Sequence, residues 1–362
     1  MNLELIEQLK QMNIGKLETN VLLSKYTTYK VGGKAKVLAY PKNIEKLITL
    51  LKWAKTNNIS YKMLGNGSNL IFSDADYNGI LIKLTEFDDI EIFDNKIRVG
   101  AGYSLMKLSR IALKNSLTGL EFAAGIPGTV GGAIFMNAGA YKSDMGYIVQ
   151  MIKVLTPDFR IVTLENKELA FHYRTSFLKT HPNYICLEAI IKLEKGKKEA
   201  IEEVMKSRLQ RRKEAQPLQY PSAGSVFRNP PGMFSGELIE NCGLKGKKIG
   251  GAQVSEKHAN FIINTGNATA NDVKELIDYV KKEVEKKSYY SYICGTTYEI
   301  LKRFPVGGIE VTITKKTLPE KKGLSSSAAI CVLIVRAFNK LYHLGFSIDD
   351  EMDFAYRGER HC

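Results

Sequence analysis

This 362-residue chain contains no uninterrupted apolar stretch approaching the ~20 residues that span a bilayer, so membrane insertion is not expected. Its opening, Met1-Asn2-Leu3-Glu4-Leu5-Ile6-Glu7, has neither the charged start nor the apolar core of a secretory signal. The five cysteines, Cys186, Cys242, Cys294, Cys331 and Cys362, are odd in number and show no metal-type spacing. Reduced thiols in a cytoplasmic protein, with no metal site, are the simplest expectation. The formal net charge is +14, from 52 Lys and Arg against 38 Asp and Glu. The lysines are nevertheless spread along the chain, and no basic stretch is interleaved with aromatics in the manner of a nucleic-acid recognition motif. A nucleic-acid partner is therefore not expected, whereas an anionic small substrate stays compatible with the charge. No repeat of solenoid type is present, and no Gly-x-Gly-x-x-Gly follows a strand-like run, which argues against a Rossmann site.

Glycine is abundant where it matters. One stretch reads Leu64-Gly65-Asn66-Gly67-Ser68-Asn69. The other runs from Gly119-Leu120-Glu121 through Gly125-Ile126-Pro127-Gly128-Thr129-Val130-Gly131-Gly132 to Asn137-Ala138-Gly139-Ala140-Tyr141. Such density means that backbone packs close to something or takes up positive φ. Turns of small residues also expose N–H groups able to cradle a diphosphate. A single glycine loop is more simply a turn; two of them favour a nucleotide cofactor.

The chain is long enough, and at 44% hydrophobic apolar enough, for two or three packed domains. Three helices are predicted. Ile44, Leu47, Ile48, Leu51 and Ala54 form one apolar face after an Asn43 N-cap. Ile201, Val204, Met205 and Leu209 form a second, ending in the basic run Arg208, Arg211, Arg212 and Lys213. That run suits the negative pole of a helix; a solvated face is its plain reading and a binding role the alternative. The third helix follows Asn271, buries Val273, Leu276, Ile277, Val280 and Val284, and is expected to end near Lys287. Strand-like runs at Gly79–Lys83, Ile97–Val99 and Ile185–Ile191 make the chain an α/β or α+β protein. A change of composition near residue 287, into Ser288-Tyr289-Tyr290-Ser291-Tyr292, is read as a boundary.

The order of motifs resembles the UDP-N-acetylenolpyruvoylglucosamine reductase (MurB) family, flavoenzymes of bacterial peptidoglycan synthesis. The likeness begins at Tyr26-Thr27-Thr28-Tyr29-Lys30-Val31-Gly32-Gly33 and passes through both glycine stretches. It continues at Tyr173-Arg174-Thr175-Ser176 and Tyr220-Pro221-Ser222-Ala223-Gly224-Ser225-Val226-Phe227-Arg228. It closes with Gly243-Leu244-Lys245-Gly246, Ile249-Gly250-Gly251-Ala252, Ser255-Glu256-Lys257-His258-Ala259-Asn260-Phe261 and Asn264. The resemblance implies an α+β fold, with an FAD-binding region of the vanillyl-alcohol-oxidase (PCMH) type in two subdomains over residues 1–198. An α/β substrate-binding domain would follow over 199–287.

In that family FAD would be wrapped by Gly65, Asn66, Gly67, Ser68 and Asn69 on one side. Gly125, Ile126, Pro127, Gly128, Thr129, Gly131 and Gly132 would form the other wall, with Asn137, Ala138 and Gly139 beyond. The implied reaction uses NADPH and UDP-N-acetyl-enolpyruvoylglucosamine and needs an electrophile for a developing enolate and a proton donor. Arg174 fits the first need, since a guanidinium stays charged and forks onto a carboxylate; Ser225 fits the second. Tyr220, Lys245 and Asn264 are the candidates for holding the UDP-sugar. His258 is either a structural histidine or a ligand contact. The family also uses a glutamate on a final strand after the last helix. No such strand is evident here, and Glu299 in Tyr298-Glu299-Ile300-Leu301-Lys302 comes several residues late for that role. A protein that binds flavin or UDP-sugar with little turnover is therefore the alternative expectation.

Residues 288–362 resemble instead the GHMP sugar and isoprenoid kinases, through Pro319-Glu320-Lys321-Lys322-Gly323-Leu324-Ser325-Ser326-Ser327-Ala328-Ala329. An apolar helix with Val332, Leu333, Val335, Ala337, Phe338 and Leu341 follows. In that family the turn opens a helix whose N-terminal amides hold ATP phosphates, and Glu359 falls where a Mg²⁺-binding acid is carried. The likeness stops at His361-Cys362, before the segment bearing the family's catalytic aspartate, so an appended, incomplete kinase fragment without kinase activity is expected.

Overall fold

The computed structural model describes residues 1–230, 232–307, 309 and 326–360. It is an α+β structure in two units, Met1–Gly236 with Lys245–Leu276, and Glu237–Leu244 with Ile277–Cys362.

The first unit begins with a four-stranded sheet in the order Gly15–Leu22, Lys34–Pro41, Tyr77–Ile82, Tyr61–Met63. The first pair is antiparallel and the others parallel, with Val37 opposite Ile80 and Ala39 opposite Ile82. Alternation with a period of two sends Val37, Ala39, Ile80 and Ile82 to one face, where helix Ile44–Thr56 covers them with Leu47, Leu50, Leu51 and Ala54. Leu38, Tyr40 and Leu81 go to the other face, with Leu23 and Leu64. Both faces are covered, which is why these strands read as continuous apolar runs. The helix starts where the sequence predicts: the Asn43 side chain accepts from Lys46 N at 2.9 Å. Asn43→Ala should lower stability by about 1 kcal/mol, measured as a lower urea midpoint; an unchanged midpoint would show that tertiary packing alone sets this helix end.

The second sheet is fully antiparallel, ordered Ile161–Glu165, Val149–Leu155, Ile185–Lys192, Lys96–Gly100, Ile90–Phe93. Its inner face, with Ile97, Val99, Ile152, Val154, Ala189 and Ile191, packs against Leu105, Leu108 and Ala112 of helix Leu105–Lys114. Val130, Ala133 and Ile134 of the short helix Val130–Phe135 join the same core. That helix is the continuation of the second glycine stretch, so burial of its apolar side anchors the loop before it.

A small antiparallel sheet, Lys248–Ile249, Ala252–Val254 and Ile262–Asn264, completes this unit. The fully buried Tyr29 ties the Tyr26–Gly33 segment to it, its hydroxyl donating to Ile262 O at 2.6 Å; burial pushes the Tyr29 phenol well up from its usual range.

Helix Ala270–Leu301 opens one residue before Asn271. A capping box holds its start: Thr269 N donates to Asp272 Oδ2 and Asp272 N to Thr269 Oγ1, each at 3.0 Å. Asp74 adds two bonds, accepting from Ala270 N at 2.8 Å and Asn271 N at 2.9 Å. The expected end near Lys287 is corrected, because the helix runs on to Leu301. No glycine or proline occurs between Gly266 and Gly295 to stop it, and a change of side-chain composition alone does not break a helix.

In the second unit that helix shares a core with helices Ser326–Tyr342 and Ile348–Glu359, built from Ile300, Cys331, Ile334, Val335, Phe338, Phe354 and Ala355. Ser347 and Asp350 form the capping box of the last helix, and Arg336 pairs with Glu351 at 2.9 Å. Leu333 and Leu341, predicted for the apolar face, are exposed. The turn Pro319–Ser325 lies outside the described residues, and Glu359 is the last residue of its helix. No helix is long and apolar enough to cross a membrane, and no metal-holding cluster of His, Cys, Asp or Glu occurs among the described residues.

Candidate active site

The two glycine stretches meet in the first unit. A Cβ on Gly65 would lie 2.9 Å from Thr129 Oγ1, so the first loop passes directly over the second. Gly67, at φ +63°, has its α-carbon against the Tyr26 carbonyl, where any side chain would collide. Lys83 supports the loop from behind, its Nζ donating to Gly65 O at 3.0 Å over the Tyr26 ring; burial lowers the pKa of this ammonium. None of the five main-chain N–H groups from Gly65 to Asn69 donates to another described part of the chain. Unengaged amides in a row, at the end of a parallel strand pair, suit an anionic diphosphate.

In the second stretch Val130 N and Gly131 N donate to Tyr103 O and Ala101 O at 2.9 and 2.8 Å, and Leu105 N donates to Gly128 O at 3.0 Å. These bonds bind the loop to the second sheet and leave Gly128 with nothing within 4 Å of a would-be Cβ. Thr129 caps the short helix, accepting from Gly132 N at 3.2 Å. Asn137 does other work. It is buried at φ +41°, donates to His172 O at 3.0 Å and accepts from Gly146 N at 2.9 Å, which joins three loops.

Arg174 sits at the tip of a tight turn closed by reciprocal His172–Thr175 main-chain bonds of 3.1 Å. It has φ +57°, costly for a non-glycine residue, and its Nη2 donates to Gly139 O at 2.7 Å. Its guanidinium lies 5.1 Å over the Tyr173 ring. The turn is therefore attached to the far end of the second glycine stretch. Ser225 follows Gly224, which has φ +79°, and bridges Phe261 of the small sheet. Its hydroxyl is exposed and has no protein partner among the described residues. The buried Asn260 holds the segment behind it, accepting from Phe227 N at 2.8 Å and donating to Phe227 O at 2.9 Å. Arg228 then reaches back, Nη2 to Arg174 O at 3.1 Å, so the Ser225 and Arg174 segments are in direct contact.

The remaining candidates divide. Tyr220 is exposed, and Lys245 sits in the turn preceding Gly246. Asn264, read as a substrate contact, is instead buried: it donates to Tyr29 O at 3.0 Å and accepts from Gly266 N and Ala268 N. Its polar groups are spent on the fold because it is buried at the end of strand Ile262–Asn264, against the Tyr29 main chain. His258 has one ring nitrogen engaged in the fold, its Nδ1 accepting from Asn260 N at 3.2 Å beside the Phe261 ring. Glu299 stands on a helix, not a strand, buried within the second unit.

Two residues lay beyond the motifs: Lys179, which donates to Arg174 O, and Lys83, which had only its place at the end of a strand-like run as a signal. Asn260 lay within a motif but carried no assigned role. The basic run also differs from a solvated face: Arg208 and Arg211 lie 5.1 and 5.8 Å over the Tyr141 ring, whose hydroxyl donates to Arg208 O at 2.9 Å. Arg212 crosses Gly125, its Cδ 2.7 Å from where a Cβ would be. The cause is packing, since Ile201 and Met205 of the same helix dock on Ala124.

Two crossed glycine loops on an α+β scaffold, the first with a row of free amides, are the features of a nucleotide-cofactor site, and an FAD binding domain model matches residues 35–165. The C-terminal domain model of UDP-N-acetylenolpyruvoylglucosamine reductase matches residues 216–291. A curated protein of that name from Anoxybacillus flavithermus is 46% identical over 301 residues, 83% of this chain and 99% of its own length. One from Caldanaerobacter subterraneus is 48% identical over 284 residues, covering 78% and 94%. The crystal structure of the Thermus caldophilus enzyme (MurB) aligns at TM-score 0.66 and 39% identity, over 74% of this chain and 95% of that one. The chain belongs to the UDP-N-acetylenolpyruvoylglucosamine reductase family, with FAD as its cofactor. Residues 291–362 match a different model, the GHMP kinases N terminal domain.

Proposed function

We propose that this chain is an NADPH-dependent reductase that converts UDP-N-acetyl-enolpyruvoylglucosamine to UDP-N-acetylmuramate for peptidoglycan precursor synthesis. The observation that carries this reading is the row of unengaged amides at Gly65–Asn69 in the same unit as the joined Arg174 and Ser225 segments. FAD, when bound, supplies the hydride chemistry that links NADPH to the enolpyruvyl ether. Gly65–Asn69 and Gly125–Gly132 hold its diphosphate and ribityl chain by main-chain groups. Arg174 takes the substrate carboxylate and stabilises the enolate that develops as hydride reaches C3. Ser225, with its hydroxyl uncommitted, gives the proton to C2. Tyr220 and Lys245 hold the UDP-sugar, Lys245 as a cation for the diphosphate. The reading places the protein in the cytoplasm, in keeping with its free thiols. No phosphoryl transfer is proposed for residues 288–362.

A second reading, a flavin and UDP-sugar binder with little turnover, has one observation in its favour: the helical placement of Glu299. Two half-reactions separate the readings. NADPH added without oxygen should bleach the flavin band, and the enolpyruvyl substrate should then restore it. Bleaching without recovery selects the binder, while a colourless protein that takes up no added FAD overturns both.

A further inference from the structure

The main-chain carbonyl of Arg174 accepts from two cations at once, Lys179 Nζ at 3.1 Å and Arg228 Nη2 at 3.1 Å. Arg174 is itself a cation, anchored through Nη2 to Gly139 O. Three positive side chains thus meet at one turn, and none of the three forms an ion pair with a described carboxylate. Such a gathering is electrostatically unfavourable in the free protein. Burial, and then the neighbouring Arg228, lower the proton affinity of Lys179. The turn they grip is the strained one, with Arg174 at φ +57° in the left-handed region. The two gripping cations come from separate elements: Lys179 from helix Phe177–Thr180 and Arg228 from the segment that follows Ser225.

We infer that Lys179 and Arg228 are positioning residues, a two-pronged clamp on the Arg174 carbonyl that holds its guanidinium for an anionic, carboxylate-bearing substrate and sets the Ser225 segment beside it. This rests on the catalytic reading of Arg174 given above. The charge excess is tolerable because the substrate's carboxylate enters it, and the clamp orders the turn before that happens.

The tests are Lys179→Met, Arg228→Met and the double variant, in the full FAD-loaded chain. Flavin reduction by NADPH should keep its rate, while reoxidation at saturating substrate should fall at least ~10-fold, as for a misplaced catalytic group. The effect should lie in kcat rather than KM. The double variant should lose less than the product of the single losses, because both prongs hold one atom. Lys179→Arg should restore most of the rate. An independent arm needs no turnover: trypsin should cut after Arg174 several-fold faster in Arg228→Met than in the unaltered chain, with the rest of the digest unchanged apart from the site lost at residue 228. Equal loss of both half-reactions, a pure KM effect, or unchanged cleavage after Arg174 would each overturn the clamp. If the unaltered protein fails to reoxidise, the catalytic reading falls, and the cleavage arm still decides whether the clamp exists.

Discussion

Ser225→Ala is expected to leave NADPH-driven bleaching of the flavin intact and to slow substrate-driven reoxidation by ~10²–10⁴, the usual cost of removing a proton donor. The asymmetry follows from position. Ser225 belongs to the segment between Gly224 and Arg228, held by Asn260, and none of its contacts involves the glycine loops. The alanine variant loses one exposed hydroxyl with no partner among the described residues, so neither the fold nor the proposed FAD site should respond. Stopped-flow traces of the two half-reactions read the difference directly. Reoxidation at the unaltered rate would remove Ser225 from the mechanism, and loss of both half-reactions would show that it supports the cofactor site.

Gly67→Ala should have the opposite signature, loss of the cofactor itself. The position has φ +63°, which costs an L-residue roughly 1–2 kcal/mol. The new methyl would also be driven into the Tyr26 carbonyl. The loop cannot retreat easily, because Thr28 N donates to Gly67 O at 3.1 Å and Lys83 holds Gly65 O. Displacing it would tilt the amides of Gly65–Asn69 away from the position proposed for the diphosphate. The purified variant should be pale, with an absorbance ratio of flavin to protein well below that of the unaltered chain, and should melt earlier. A fully yellow protein with the same melting temperature would mean that this loop does not carry the cofactor.

Much of this was legible in the amino-acid sequence. The apolar spacing from Ile44 to Ala54 and the Asn43 cap define a helix by local rules, and that helix forms as predicted. The glycine stretches announce close backbone approach because no other residue tolerates it, and Gly65 and Gly67 meet neighbouring backbone and Thr129 as that implies. The misreadings are of another kind. Asn264 has the chemistry of a sugar contact, but burial spends its amide on Tyr29, Gly266 and Ala268. The arginines after Leu209 have the chemistry of a solvated face, but the helix docks through Ile201 and Met205 and lays Arg212 across Gly125.

Residue type and spacing by themselves determined the glycine turns, the helix starts and the family motifs, since each depends on sterics or hydrogen bonds within a few residues. Tertiary structure alone decided which polar groups remain free to act. The amides of Gly65–Asn69 and the hydroxyl of Ser225 have no partner among the described residues, whereas the side-chain amides of Asn137 and Asn264 are consumed. Lys179 and Arg228 converge on Arg174 from positions 5 and 54 residues away in the chain. Hydrogen-bonding capacity is finite, and only long-range packing settles where it is spent.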